Sequence, residues 1–362
     1  MVNMERELNV VIYRTGGIGD VILSTVSLSY IYQFKRKITV YWISFNPILD
    51  FMKATHPKII PVEIYRDRTY KENYEHIAEI VQKADVVLDL QSSLRSMILC
   101  KLVARKLSAS YYTWNKGSLR RTIAVLKSRF RFRRITNRTL FLNTHPRYKL
   151  MLDCTKRALS VYSDDAIEAT PLLNVPEITG NNRDFDKMDA KTLWIGVCAG
   201  ALYEIKRAPE KLFVQVLNQI NSVNHKPVGF VFLGDEYDRA PSDRIIDNLN
   251  RDYRTINFCG QSLAKTAVIL NQCVVFLSND TAMAHMAEAL QKDLAMLFGP
   301  TAESAGYAPF RKSSRAFSSN LGCRPCTKGG ETTCRYGDKK CFEGIVARDV
   351  SSYLTERVRA LS

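Results

Sequence analysis

Residues 275–301 read VFLSNDTAMAHMAEALQKDLAMLFGPT, and the way this stretch divides decides the fold. The apolar run up to Ser278 has the length and composition of a buried strand. Asn279, Asp280 and Thr281 interrupt it with side chains that can accept from the free N–H groups of a first helical turn. A helix is expected from Thr281, and DLAMLFG, residues 293–299, is the next strand. Strand, capped helix, strand in so short a span is a parallel βαβ unit.

The same rhythm runs outward in both directions. TLWIGVC (192–198), a helix opening at Pro209, PVGFVFLG (227–234), RTINFCG (254–260) and a helix near Leu263–Asn271 lead into it. Further upstream stand NVVIY (9–13), a helix from Asp20 to about Phe34, ITVYWIS (38–44), KIIPVEIY (58–65), the helical KENYEHIAEIVQK (71–83) and DVVLDL (85–90). A polar stretch from Ser163 to Lys191, with Pro171, Pro176 and Gly180, breaks the rhythm and reads as a linker. The expected fold class is α/β with two doubly wound, Rossmann-like domains. The expected boundaries are 1–165, a linker at 166–190, 191–345 with a cysteine-rich loop at 323–341, and a C-terminal helix at 346–362. In such sheets ligands sit outside the carboxyl ends of the strands, so the strand-to-helix loops are where chemistry belongs.

The 362 residues are 46% hydrophobic and 24% charged, which excludes disordered and fibrous classes. Neither a secretory signal nor a run long enough to cross a bilayer is read, so a cytoplasmic location is expected. The formal charge is +16, and from Gln91 to Leu152 there are fifteen Lys or Arg and no Asp or Glu. A field of one sign recruits phosphate-bearing partners: nucleic acid, anionic lipid or a phosphorylated glycolipid. Within it, Leu119, Ile123, Leu126 and Phe130 recur at helical spacing among Arg and Lys, a pattern shared by surface helices and by helices that lie on an anionic membrane.

Three loops carry the candidate chemistry. TGGIGD, residues 15–20, resembles a dinucleotide fingerprint but has Ile22 where the third glycine belongs. Gly17 and Gly19 let a ligand approach the backbone, and Asp20 is either a helix cap or a general base. In CAGALYEIKRAPEKLF (198–213), Lys206 and Arg207 precede a helix and suit a diphosphate. In the opening stretch, Asp280 or Thr281 caps the helix and His285 lies one turn further on, facing the same side.

Taken together these loops resemble glycosyltransferase family 9, the lipopolysaccharide heptosyltransferases. GIGDVILSTV (17–26), CAGALYEIKRAPEKLF and NDTAMAHMAEALQKDLAMLFGPT (279–301) match three family motifs in order. The resemblance implies a GT-B fold, two domains facing across a cleft, and inverting transfer of heptose from ADP-heptose to inner-core lipopolysaccharide without a catalytic metal. It implies Asp20 as the base and Lys206 as the neutraliser of the donor diphosphate. Gly19, Arg207, Asp235, Glu236, Asp280, Thr281, Ala282 and His285 would lie on the donor side. Arg95 in LQSSLRS, with Arg120 and Arg121 of the basic stretch, would lie on the acceptor side. The chain departs from the family at Ala282, Ala208 and Val26, where glycine, tryptophan and proline are usual. The first of these bears on donor identity. A different nucleotide sugar, a protein acceptor, or a nucleic-acid-binding protein with a metal knuckle are the competing readings. The basic stretch also suits peripheral association with an anionic membrane.

Cys323, Cys326, Cys334 and Cys341 are spaced C-x2-C-x7-C-x6-C, a pattern open to a structural zinc or iron site, to reduced thiols or to two adventitious disulfides. A similar cluster serves the autotransporter heptosyltransferases as an iron-binding motif. The other five cysteines read as small buried hydrophobes.

Overall fold

The structure is a computed structural model that describes residues 6–129, 145–162, 167–177, 187–221, 223 and 225–361. The chain forms two compact units, Met1–Lys116 with Arg147–Asn174, and Gly117–Pro146 with Val175–Ser362. This division differs from a boundary at 165: within the basic stretch, Gly117–Pro146 goes with the second unit, and both ends stay with the first. Phe130, Arg131, Arg133, Arg134, Ile135 and Arg138 of that stretch, and linker positions 166 and 178–186, lie outside the described residues.

The first unit contains β1 (Leu8–Tyr13), β2 (Ile38–Ser44), β3 (Ile59–Glu63), β4 (Val86–Asp89) and β5 (Ser110–Thr113), in the order β3-β2-β1-β4-β5. Every pairing is parallel. Its helices are α1 (Ile18–Ser24), α2 (Val26–Ile31), α3 (Ile48–Thr55), α4 (Tyr70–Ile80), α5 (Leu94–Lys106) and, after α6 (Ser118–Arg129) of the second unit, α7 (Arg147–Leu159). Ile77 of α4 and Leu99 and Val103 of α5 cover Val11, Ile43 and Val87 on one face of the sheet.

The single helix expected from Asp20 to Phe34 is two helices. Ser24 and Thr25 donate their hydroxyls to Val21 O at 2.6 Å and Ile22 O at 2.7 Å, the local side-chain bonding that competes with a continuing helix. The first of the two begins at Ile18 behind Gly17, whose φ of 65° suits glycine. Asp20 is therefore inside the helix and does not cap it.

The second unit contains β6 (Leu193–Cys198), β7 (Val228–Phe232), β8 (Arg254–Asn257), β9 (Val275–Asn279), β10 (Asp293–Phe298) and β11 (Arg315–Ser318), in the order β11-β10-β9-β6-β7-β8. All pairings are again parallel. Helices α8 (Glu210–Leu217), α9 (Arg239–Asp247), α10 (Leu263–Asn271), α11 (Ala282–Ala289) and α12 (Ala347–Leu361) complete it. Every residue of β6, β7, β9 and β10 is buried, the signature of a parallel sheet covered on both faces. Phe213, Val216, Leu354 and Val358 from α8 and α12 pack over Val197, Phe230 and Leu277.

In both sheets the strand order reverses once, between β1 and β4 and between β6 and β9. These are the topological switch points where such folds bind ligands. Among the described residues no helix is long and apolar enough to cross a membrane.

Candidate functional site

At the switch point of the first unit, the side chain of Gln91, just past β4, accepts from Thr15 N at 3.4 Å and Gly16 N at 3.2 Å. It thereby pins the loop after β1. Asp20 follows on α1. Arg14 Nη2 lies 2.7 Å from Asp20 Oδ2 and Arg147 Nη1 lies 2.9 Å from Oδ1, with side-chain exposures of 1% and 6% for the arginines and 22% for the aspartate. Arg14 Nη1 also donates to Leu90 O at 2.7 Å, and Trp114 Nε1 donates to the same carbonyl at 2.9 Å. The Arg147 guanidinium stands over the Trp114 ring, 5.7 Å from its centroid.

Burial alone would raise the Asp20 carboxyl, but the Arg14 and Arg147 guanidiniums outweigh it and hold the group at about 2. Burial, with the same two guanidiniums, pulls Lys116 beside it down to about 8. Two buried guanidiniums on one carboxylate leave this corner positive, so it favours anions. Gly19, also on α1, is half-buried beside Asp20.

A cavity of the same unit, about 430 Å³, is lined by Tyr65, Arg66, Arg68, Gln91 and Arg95 among others. Arg95 is thus on a cavity wall, with two further arginines that sequence reading passed over. The Arg66 guanidinium is stacked over Phe45 at 5.0 Å and that of Arg68 over Tyr65 at 4.0 Å. Their signal was weak, because Asp67 between them makes the local charge look balanced.

At the switch point of the second unit, Asn279 at the end of β9 plays the part of Gln91. It donates to Ala199 O at 2.7 Å and Gly200 O at 3.3 Å, and accepts from Ala208 N at 3.2 Å. Lys206, in a 3-10 turn at Glu204–Lys206, places Nζ 2.9 Å from Asp280 Oδ2. Thr301 donates to the same oxygen at 2.7 Å. Lys206 and Asp280 have side-chain exposures of 15% and 6%. Of the two expected caps of α11, Thr281 takes the role, accepting from Met283 N at 3.3 Å. Thr281, Ala282 and Met283 are the partly exposed end of this helix, where backbone N–H groups attract anions. His285 is buried, its ring 5.9 Å from that of Tyr307.

Arg207 donates through Nε to Ala201 O at 2.9 Å and places Nη2 3.3 Å from Asp238 Oδ1. Of the acids after β7, Asp238 is therefore the one bound to the loop that carries Lys206 and Arg207. Asp235 and Asp238 form a reciprocal cap, each accepting from the other's backbone N–H, and exposed Glu236 pairs with Arg239 at 2.8 Å. Asp238 was missed because its role depends on contact: a Cβ at Gly200 or Gly234 would lie 2.0 or 2.5 Å from its carboxylate.

Arg120 is exposed and Arg121 buried, both on α6. The apolar residues of this helix face outward, with Leu119 73%, Ile123 42% and Leu126 49% exposed, while Ala124, Val125 and Ser128 face in.

The four clustered cysteines line one cavity of about 330 Å³ with Ile205, Pro300 and Arg324. None of the four is in a disulfide. Burial raises Cys326 to about 11 and Cys341 to about 12. Burial also acts to raise Cys334, but backbone N–H groups from Tyr336 to Lys339 outweigh it and lower the thiol. Such a donor set suits a thiophilic metal. Among the described residues, however, no three His, Cys, Asp or Glu side chains are gathered closely enough to hold one. The expected four-thiolate cluster is thus a shared cavity wall and not a closed ligand shell.

The family model described as glycosyltransferase family 9 (heptosyltransferase) matches residues 74–336. Lipopolysaccharide heptosyltransferase 2 of Salmonella typhimurium is 30% identical over 122 residues, 33% of this chain and 34% of that protein. The match spans about a third of that relative's length. The structure of ADP-heptose LPS heptosyltransferase II from E. coli superposes with a TM-score of 0.65 at 15% identity, covering 97% of this chain and 98% of that one. The iron-containing dodecameric glycosyltransferase TibC of enterotoxigenic E. coli gives 0.55 at 12% identity, covering 100% and 78%. The expected α/β class, GT-B with two Rossmann-like sheets, is the fold observed.

Proposed function

We propose the following reaction from the premise that this chain belongs to glycosyltransferase family 9, the heptosyltransferase family. The protein transfers a heptose from ADP-heptose, with inversion, to a phosphorylated glycolipid of the lipopolysaccharide inner core. The acceptor hydroxyl oxygen attacks the anomeric carbon, the bond from that carbon to the diphosphate oxygen breaks, and the hydroxyl proton passes to the Asp20 carboxylate. ADP leaves carrying the bond's electron pair. Lys206 and the open N-terminal end of α11 meet its developing charge, with Arg207, Thr301 and His285 around them. A carboxylate held near 2 is a weak base, and it suffices because the hydroxyl gives up its proton late, once the oxygen has begun to bond. This chemistry requires no catalytic metal.

The observation that carries the reading is the Lys206–Asp280–Thr301 arrangement beside the half-open helix end. An incoming diphosphate can take over the lysine from the aspartate, which keeps Thr301 as a partner. Arg66, Arg68 and Arg95 around one cavity support an anionic acceptor. On α5, exposed Leu94, Ile98 and Leu102 stand among exposed Arg95, Lys101, Arg105 and Lys106, a face suited to an anionic membrane and to a peripheral cytoplasmic enzyme. Cys323, Cys326, Cys334 and Cys341 wall one cavity and are the residues that a structural iron or zinc would have to draw together.

Calorimetric titration with ADP, UDP and GDP tests the reading. Preferential ADP binding supports it. A preference for UDP or GDP replaces the donor, and binding of none of them overturns the transferase reading.

A further inference from the structure

Neither Lys206 nor Asp280 holds its own place. Lys206 sits on a three-residue turn with no side-chain cap, and Asp280 depends on Thr301 in the loop after β10. Both are braced by the cysteine-bearing segment 323–341. Arg324, between the first two cysteines, is 1% exposed in its side chain. It donates through Nε to Gly299 O at 2.5 Å and through Nη2 to Thr301 O at 2.9 Å, with a further bond to Ser319 O. Cys326 N donates to Pro300 O at 2.9 Å. One buried guanidinium and one backbone N–H thus hold all three residues of the Gly299-Pro300-Thr301 loop.

The other half of the segment holds the lysine. Lys339, between the last two cysteines, places Nζ 2.8 Å from Glu204 Oε1 and donates to Glu204 O and Arg207 O at 3.3 Å each. It therefore clamps both ends of the turn that carries Lys206. Gly330 lies so close that a Cβ there would stand 2.6 Å from the Tyr203 ring and 2.9 Å from Lys206 Cδ. Its φ of 116° also suits only glycine. Ile205, at the centre of the turn, lines the cysteine cavity. Of the two carbonyls that Lys339 reaches, Glu204 O also accepts from Arg207 N at 3.1 Å, so the lysine adds to the bond that closes the turn.

We infer that the segment 323–341 is the positioning element of the diphosphate site, in which Arg324 sets Thr301 and Asp280 while Lys339 and Gly330 set Lys206 and Arg207. None of these three touches the donor. They act by fixing the distance between the cation and its partners, so the segment is coupled to donor affinity through two separate anchors. This inference rests on the reading of Lys206 as a diphosphate ligand.

The test measures ADP affinity of the full chain by calorimetry for wild type, Lys206→Ala, Lys339→Met, Lys339→Arg and the double variant Lys206→Ala/Lys339→Met. Lys339 is partly exposed, so its loss leaves the fold intact, and the thermal midpoint reports on that. The expected result is about tenfold weaker binding for Lys339→Met, a change of ~1.4 kcal/mol, with recovery in Lys339→Arg. The double variant should bind no more weakly than Lys206→Ala alone, because contributions passed through one residue are not additive. Unchanged affinity in Lys339→Met, or full additivity in the double variant, overturns the inference while leaving the transferase reading standing. Failure of the wild type to bind ADP overturns that reading itself. Arg324→Lys gives a second arm: weaker ADP binding at an unchanged thermal midpoint supports the brace, and wild-type affinity removes Arg324 from it.

Discussion

The two switch points have the same wiring and opposite electrostatics. In each, an amide side chain from the strand across the reversal pins the first loop: Gln91 in one unit and Asn279 in the other. Within that common frame, the first unit surrounds one carboxylate with two buried guanidiniums, and the second pairs one ammonium with one buried carboxylate. The first arrangement is over-compensated. It keeps Asp20 ionised and leaves positive charge to spare, so it can take a proton only transiently. The second is balanced and exchangeable, because an anion that arrives with its own charge can replace Asp280 as the partner of Lys206. Parallel sheets supply the same loop twice, and in the proposed reaction the charges placed in it would make one loop the proton acceptor and the other the anion cradle.

The largest expected effect tests the first half of this contrast. Asp20→Asn keeps the shape and removes the charge, and it should lower transfer by roughly 10²–10⁴-fold, the range of a general base, while ADP affinity stays near wild type. Turnover surviving within about tenfold, a loss of only ~1.4 kcal/mol, would remove Asp20 from the base role. The low carboxyl also fixes a pH dependence. Since its folded value of about 2 lies below the ordinary 3.8, the stability from its ion pairs is present above pH 3.8 and is lost as pH falls toward 2. An acid limb in the pH–rate profile near neutrality would therefore belong to another group.

The second half is tested by Lys206→Ala, expected to weaken ADP binding by about ten- to a hundredfold, or roughly 1.4–2.7 kcal/mol. If the pair is exchangeable, Asp280→Asn should weaken ADP binding far less than Lys206→Ala does. Equal losses in calorimetric titrations would mean that the aspartate is a donor ligand in its own right.

A further contrast, read in stability and not in turnover, sets Asp20 against a carboxylate displaced the other way. Glu288 on α11 is fully buried and accepts from Phe310 N and Arg311 N at 3.0 Å. Burial raises it to about 7 despite those donors. The folded state then holds a proton that the unfolded chain has already released, so stability falls as pH rises from about 4.5 to about 7 and levels off beyond. The loss is on the order of 3 kcal/mol. Urea unfolding at pH 5 and 7.5 should show that slope in the wild type and a flatter one in Glu288→Gln; parallel slopes would refute the assignment.

Much of this was legible in the chain. The continuous apolar runs of β6, β7, β9 and β10 could be read directly, because strands buried on both faces tolerate no polar alternation. Lys206, Asp280 and Thr281 were found because they stand in the loops that follow such runs. Arg14, Arg147, Asp238 and Arg324 escaped notice because each acts on a residue distant in the sequence. Arg14 lies at a strand end and Arg147 far down the basic stretch, and only the packing of α7 brings the second to Asp20. The short edge strands β5 and β11 were passed over for a related reason. Half-exposed four-residue segments carry too little periodicity to be distinguished from loop.

The sequence by itself determined the two parallel sheets, their capped loops and the side chains that could do chemistry there, since local composition and periodicity dictate those elements. The tertiary structure alone decided which charges those side chains meet. Asp20 is ionised because two arginines from separate segments converge on it, the Lys206 turn meets Lys339, and the Thr301 loop meets Arg324, each from far along the chain. The energy of a charge depends on its distance to other charges and on its access to water, and both are set only when the chain has folded.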